Sequence, residues 1–231
     1  MPQRYFLTDQ ETLSKQDEHH IRHVMRMKTN DQVIVCYQGI CHEATLDISK
    51  DMVTYTKGKQ LDSQESLSIT IIQGLPKGSK TDFIAKSASL FGASSLIFVP
   101  MQRSIAKLEN TTHKLKRLES ISKEASELAN RQENMMTSFQ ASLKSIDFNA
   151  FDIVFLADEN EKTLSLKQAV KSFGKGHNMC FIIGAEGGIS EEERQWLQQQ
   201  NIQSISLGNL ILPTEYAHLY ILSYLSAHYL Q

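Results

Sequence analysis

Between residues 32 and 56 the apolar positions alternate with polar ones or come as β-branched pairs: QVIVCY (32–37), CHEATLDI (41–48) and MVTYT (52–56), with a turn at Gly39. A period of two over runs this short predicts strands, and strands this closely spaced predict a small β-barrel. The run KGKQLDSQES (57–66) holds a single apolar residue, Leu61, and marks a domain boundary. Residues 1–68 are therefore expected to form one domain and residues 69–231 a second. From residue 67 the rhythm changes. LSITIIQGL (67–75), SLIFVP (95–100), DIVFLAD (152–158), MCFIIG (179–184) and IQSISLG (202–208) are predicted strands. Between them lie helical segments. One at 80–91 is closed by Gly92, and one at 113–130 places Leu115, Leu118, Ile121, Ala125 and Leu128 on one face; a last helix begins near 214. Strands alternating with helices predict an α/β fold with a mostly parallel sheet covered by helices.

Ligands of such sheets bind beyond the carboxyl ends of the strands. Three loops there have unusual sequences: ADEN (157–160), GAEGG (184–188) and LGNLILPTE (207–215). In the middle one, glycines permit close approach to the backbone, and Ser190 with Glu193 forms a capping-box signature that sets the start of the next helix. Neither GxxxxGK[ST] nor an early GxGxxG is present, and Glu186 would repel a phosphate. The loop suits a ligand held by backbone groups and carrying positive charge.

The chain has 231 residues, of which 41% are hydrophobic, enough for a substantial core. No run of about 18 apolar residues occurs and the start lacks a signal-peptide pattern, so a cytoplasmic protein without membrane spans is expected. Cys36, Cys41 and Cys180 are odd in number and lack CxxC or metal-ligand spacing, which predicts reduced thiols and no metal site. His19, His20 and His23 have no Asp or Cys at suitable spacing to complete a ligand set. The net charge of −2 hides an asymmetry. Residues 70–131 hold 10 basic against 5 acidic side chains, and residues 132–231 hold 6 against 11. This is either a solvated surface or a local basic face for a phosphate backbone.

Six stretches in order resemble the ribosomal RNA small subunit methyltransferase E family of the knotted SPOUT class: QRYF (3–6), HIRHVMRMKTND (20–31), QRSIAK (102–107), EASELANR (124–131), IIGAEGGISEEE (182–193) and SLGNLILPTEYA (206–217). The resemblance implies a PUA-like β-barrel for RNA followed by an α/β domain tied in a deep trefoil knot. It further implies a homodimer that binds S-adenosylmethionine and methylates N3 of a specific uridine in the decoding region of 16S ribosomal RNA in the small subunit. Nothing in periodicity or spacing shows a knot, and the general rule for chain connections is against one.

Laid onto this chain, the resemblance places the cofactor among Leu156, Ile183, Leu207, Ile211 and Leu212, beside Gly184, Glu186, Gly187, Gly188, Gly208 and Thr214. Arg131 and Glu215 are the catalytic candidates. Arg131 is either a cation at the site or a helix-end arginine, and Glu215 either orients the base or caps the last helix after Thr214. Arg4, Arg22, Arg26, Arg103 and Lys107 are the candidates for RNA phosphates. Leu210 and Pro213 stand where the family pattern has arginines, and Ala185 where it has proline. The loss of two cations leaves open a different RNA target, or RNA binding without methyl transfer.

Overall fold

The alternating stretches of the first sixty residues fold into a four-stranded sheet in the computed structural model, which describes residues 2–230. Its strands are β1 (Arg4–Phe6), β2 (Gln32–Tyr37), β3 (Ile40–Ile48) and β4 (Val53–Gln60), in that spatial order. β1 runs parallel to β2, and the other pairs are antiparallel. Alternation sends Tyr5, Val33, Val35, Ala44 and Leu46 to one face, and Ile34, Cys36 and Cys41 to the other. A short helix, α1 (Lys15–His19), starts at a Ser14–Asp17 capping box and runs into a π-turn over His20–Val24. Within it His20 Nδ1 lies 3.1 Å from the Tyr5 hydroxyl.

The expectation of three reduced thiols is corrected here, because Cys36 and Cys41 are joined in a disulfide. Gln38 and Gly39 both have positive φ, the two-residue turn whose twist matches a hairpin, and it sets Cys36 directly opposite Cys41 with 4.1 Å between their Cα atoms. Cys180 is a buried free thiol, and burial pushes its pKa up.

The rest of the chain gives a six-stranded parallel sheet. In sequence it comprises β5 (Ser68–Gly74), α2 (Lys80–Leu90), β6 (Ser95–Val99), α3 (Thr111–Leu128), β7 (Met136–Phe139), β8 (Ile153–Ala157), α4 (Leu166–Ala169), β9 (Asn178–Ile183), α5 (Glu191–Gln199), β10 (Gln203–Ile205) and α6 (Thr214–Tyr229). The spatial order is β10-β8-β9-β5-β6-β7. The first strand thus lies inside the sheet, the chain moves out one way through β6 and β7, and the later strands build the other side. The inner strands are apolar on both faces, as a sheet covered on both sides requires. Ile71, Phe98, Phe155, Phe181 and Ile183 pack with Ile221 and Leu225 of α6, while Ile72, Val99, Leu156 and Ile182 pack with Leu197 of α5.

Two compact units result: residues up to Glu65 with Ser126–Asn134, and Ser66–Ala125 with the chain from Met135 onward. The expected cut at 68/69 places 126–134 in the second domain, whereas these residues cluster with the first. Their contacts give the reason: Arg4 Nη1 donates to the Asn130 and Arg131 carbonyls at 2.5 and 2.6 Å, and Glu127 accepts from Phe6 N at 3.2 Å.

Candidate active site at the strand ends

The loops after β8, β9 and β10 line one cleft of about 340 Å³ in the second unit. Its walls include Ile183, Gly184, Glu186, Gly187, Gly188, Leu207, Gly208, Ile211, Leu212 and Thr214. The helix after the glycine loop starts as its sequence requires, with Ser190 Oγ accepting from Glu193 N at 3.1 Å and Glu193 returning a bond to Ser190 N.

Close backbone packing explains the glycines. A Cβ on Gly184 would lie 2.9 Å from the Gly188 carbonyl carbon, and one on Gly74, at the end of β5, would lie 2.3 Å from Ala185 N. Gly188 has φ +71°, the region that favours glycine. Beneath the loops, Gln73 of β5 is fully buried. Its Nε2 donates to Thr214 Oγ1 at 2.7 Å and to the Gly184 carbonyl at 3.2 Å, while Thr214 Oγ1 donates to that same carbonyl at 2.5 Å. One side chain thereby fixes the glycine loop and the start of α6 to the central strand.

The electrostatics of the lining are one-sided: it carries Asp158, Glu159 and Glu186 and no lysine or arginine. Asp158 is nearly buried and takes a two-pronged bond from Arg194, Nε to Oδ2 at 2.6 Å and Nη2 to Oδ1 at 3.2 Å. Burial opposes its ionisation, but the bonds from Arg194 and from Asn160 N outweigh it and hold the pKa below the usual value. Glu186 behaves likewise. Burial raises its pKa, and the Lys77 N–H at 2.9 Å and the Lys80 ammonium at 3.4 Å bring it below normal. Lys80 also donates to Glu215 at 3.1 Å, which ties α6 to the start of α2. Such a site holds an apolar, neutral body by backbone and aliphatic groups, and favours a cation over a phosphate.

A model of the RNA methyltransferase domain matches residues 63–226. Over 97% of its length the chain is 35% identical to the ribosomal RNA small subunit methyltransferase E of Bacillus subtilis (strain 168), of which 96% is covered. The chain belongs to the ribosomal RNA small subunit methyltransferase E family. A member from Neisseria gonorrhoeae, solved bound to S-adenosyl methionine, superposes with a TM-score of 0.83 at 20% identity, covering 99% of this chain and 98% of its own. A crystal structure described as a hypothetical protein superposes with a TM-score of 0.85 at 32% identity, with 97% of each chain covered.

Against the expectations drawn from the family's motifs, the structure gathers every cofactor candidate into the cleft except Leu156. That residue is 1% exposed and belongs to the core on the α5 side, because the period of two that brings Ala157 to the cleft turns its predecessor to the opposite face. Leu210 and Ile211 of the cleft loop are 81% and 83% exposed, and Leu210 occupies one of the positions where the family pattern has arginine. Glu215 accepts from Lys80 and makes no capping bond; α6 begins after Pro213 without a side-chain cap. Arg131 lies in the first unit, where its N donates to the Ser126 carbonyl at 3.0 Å and burial lowers its pKa. Arg4 is corrected: at 4% exposure its guanidinium is spent on the carbonyls of residues 130 and 131 and is not open to a phosphate. Arg22 donates to the Ser49 carbonyl at 2.7 Å, and Arg26 is exposed. Arg103 Nη1 donates to the Gly187 carbonyl at 3.0 Å, beside the cleft, and Lys107 lines a separate cavity.

Gln73, Gly74 and Lys80 escaped the sequence reading. The available signal is the stretch LPKGSK (75–80), which also follows a strand and carries two lysines, but it lacks the acidic residue that marks the other three strand ends.

Proposed function

We propose that this chain transfers a methyl group from S-adenosylmethionine to N3 of a uridine in 16S ribosomal RNA of the small subunit. The observation that carries the reading is a cleft lined by three carboxylates and no basic side chain, made of glycine backbone and aliphatic groups. The bound cofactor seen in the Neisseria gonorrhoeae relative and the name of the Bacillus subtilis relative support it. Ile183, Leu207, Ile211 and Leu212 would hold the adenine, with Gly184, Gly187, Gly188 and Gly208 close to the ribose and backbone, and Glu186 toward the positive end. The cofactor supplies an already activated methyl group, so the protein's share is orientation and exclusion of water, worth about 7 to 11 kcal/mol in well-fixed cases. Thr214 and Gln73 fix the walls. Uridine N3 must lose a proton, and a cation beside the ring stabilises the charge that develops. Arg131 is the candidate for that cation, with Glu215 orienting the base.

The same reading includes a trefoil knot and a PUA-like barrel in the first unit, with the two domains of residues 1–68 and 69–231 serving RNA and chemistry. It also includes a homodimer, no metal, a cytoplasmic setting, and RNA phosphates on Arg22, Arg26, Arg103 and Lys107. Leu210 and Pro213 in place of two arginines favour a second reading, the same fold with another RNA target or with binding alone. Calorimetry with S-adenosylmethionine, followed by mass spectrometry of ribosomal RNA nucleosides from cells with and without the gene, separates them. Loss of 3-methyluridine from small-subunit RNA is expected on deletion. An unchanged 3-methyluridine content overturns the substrate, and unmodified RNA everywhere overturns transfer.

A further inference from the structure

We propose that a second cavity of the same unit, distinct from the cleft, seats the nucleotide that accepts the methyl group; this rests on the RNA methyltransferase reading. The cavity measures about 320 Å³ and opens beyond β5, β6 and β7. Its floor is apolar: Leu75 and Leu118 are buried, and Phe139 stacks on Phe98 with ring centroids 5.7 Å apart. Its rim is basic. Lys114 and Arg117 come from α3 and Lys107 from the loop after β6, facing Asp82 and Glu109. Arg117 is paired with Asp82, which leaves two exposed ammonium groups to one carboxylate. Ser79 and Thr81 line the same space. An apolar, partly aromatic floor beside polar side chains and ammonium groups fits a pyrimidine nucleotide, with the ring on the floor and the phosphate at the rim. The cleft, whose charged lining residues are all carboxylates, has the opposite preference.

The two hollows have no lining residue in common but are tied through the same segments. The stretch 75–82, the loop after β5 and the first turn of α2, lines the second, while Lys77 N and Lys80 from that stretch hold Glu186 of the first. The loop after β6 likewise binds Gly187 through Arg103 and lines the second hollow through Ala106, Lys107 and Leu108. Segments bonded to both sites fix one relative to the other, which is the kind of orientation that transfer between two bound partners exploits.

The test is a titration of the full-length protein with uridine 5′-monophosphate, followed by NMR of the Leu75, Leu118 and Phe139 side chains, with inorganic phosphate and uridine as separate arms. Shifts at all three residues with the nucleotide, and binding weaker by about tenfold or more with either fragment alone, are expected. No shift, or shifts confined to the loops of residues 184–188 and 207–214, overturns the proposal. Phosphate acting as well as the nucleotide also overturns it, by showing an anion site without base recognition. In the methylation assay the exposed-surface variant Lys107→Glu/Lys114→Glu is expected to raise KM for ribosomal RNA by about tenfold and to flatten the salt slope by about 1.4. Its S-adenosylmethionine affinity should stay within about twofold. An unchanged KM overturns the site. Should the wild-type chain transfer no methyl group at all, the functional reading fails and the nucleotide titration decides the cavity alone.

Discussion

The cleft and the second cavity are nearly equal in size and grow from one sheet, yet they are built from different materials. The cleft is made by backbone: glycines approaching within contact distance and carbonyls pinned by Gln73 and Thr214, with carboxylates as its charged lining residues. The cavity is made by side chains from four separate segments, aliphatic and aromatic below and cationic above. A backbone-built site tolerates almost no added volume and discriminates by fit. A side-chain-built site tolerates substitution and discriminates by charge. Variants in the two should therefore fail in different ways.

The largest effect is expected from Gly74→Ala. The new Cβ would sit 2.3 Å from Ala185 N, so the glycine loop must move, and S-adenosylmethionine affinity should fall about a hundredfold by calorimetry. Retained affinity would break the distinction, since it would mean the loop is pliable.

A pH experiment probes the α2–α6 pair that joins the two sites. His218 on α6 is fully buried with Nε2 2.7 Å from Ser87 Oγ on α2, and burial pulls its pKa from 6.5 down to about 4. The unfolded chain binds a proton below about pH 6.5 and the folded chain only near pH 4. This contribution to stability is therefore complete above pH 6.5 and is lost as the pH falls toward 4, by up to about 1.4 kcal/mol per unit and about 3 kcal/mol in all. Urea denaturation between pH 7 and 4 measures it, and His218→Gln should flatten that slope.

Gln73→Leu should weaken the cofactor about tenfold, because Thr214 and two carbonyls lose a buried donor, while KM for RNA stays unchanged. The smallest effect belongs to Lys80→Met. The bond to Glu215 raises the pKa of Lys80, but its side chain is 36% exposed, so the loss of stability should be at most about 1 kcal/mol in thermal denaturation. An effect larger than that of Gln73→Leu would mean that ionic links, rather than the buried amide, hold the cleft shut.

How much of this was legible in the chain follows from the same contrast. Five of the six strands of the parallel sheet showed themselves through runs of apolar residues at strand length, and three of the loops through glycine and acid at strand ends. β1 and β7 were missed because three residues, or a half-polar MTSF, carry no measurable period. The Cys36–Cys41 bond was hidden because hairpin register, not cysteine count, brings the two together. Arg4 read as surface charge since nothing local reveals that carbonyls from residues 130 and 131 will surround it. Lys80, Gln73 and the whole second cavity depend on neighbours distant in sequence, and a motif cannot express them.

The return of residues 126–134 to the first unit means that the chain joins the two units at three places. A fragment stopped at residue 65 would strip the guanidinium of Arg4 of both its carbonyl acceptors, and with them the link that ties β1 to residues 126–134. Any swap of this amino-terminal module between relatives must carry the nine-residue excursion along with it.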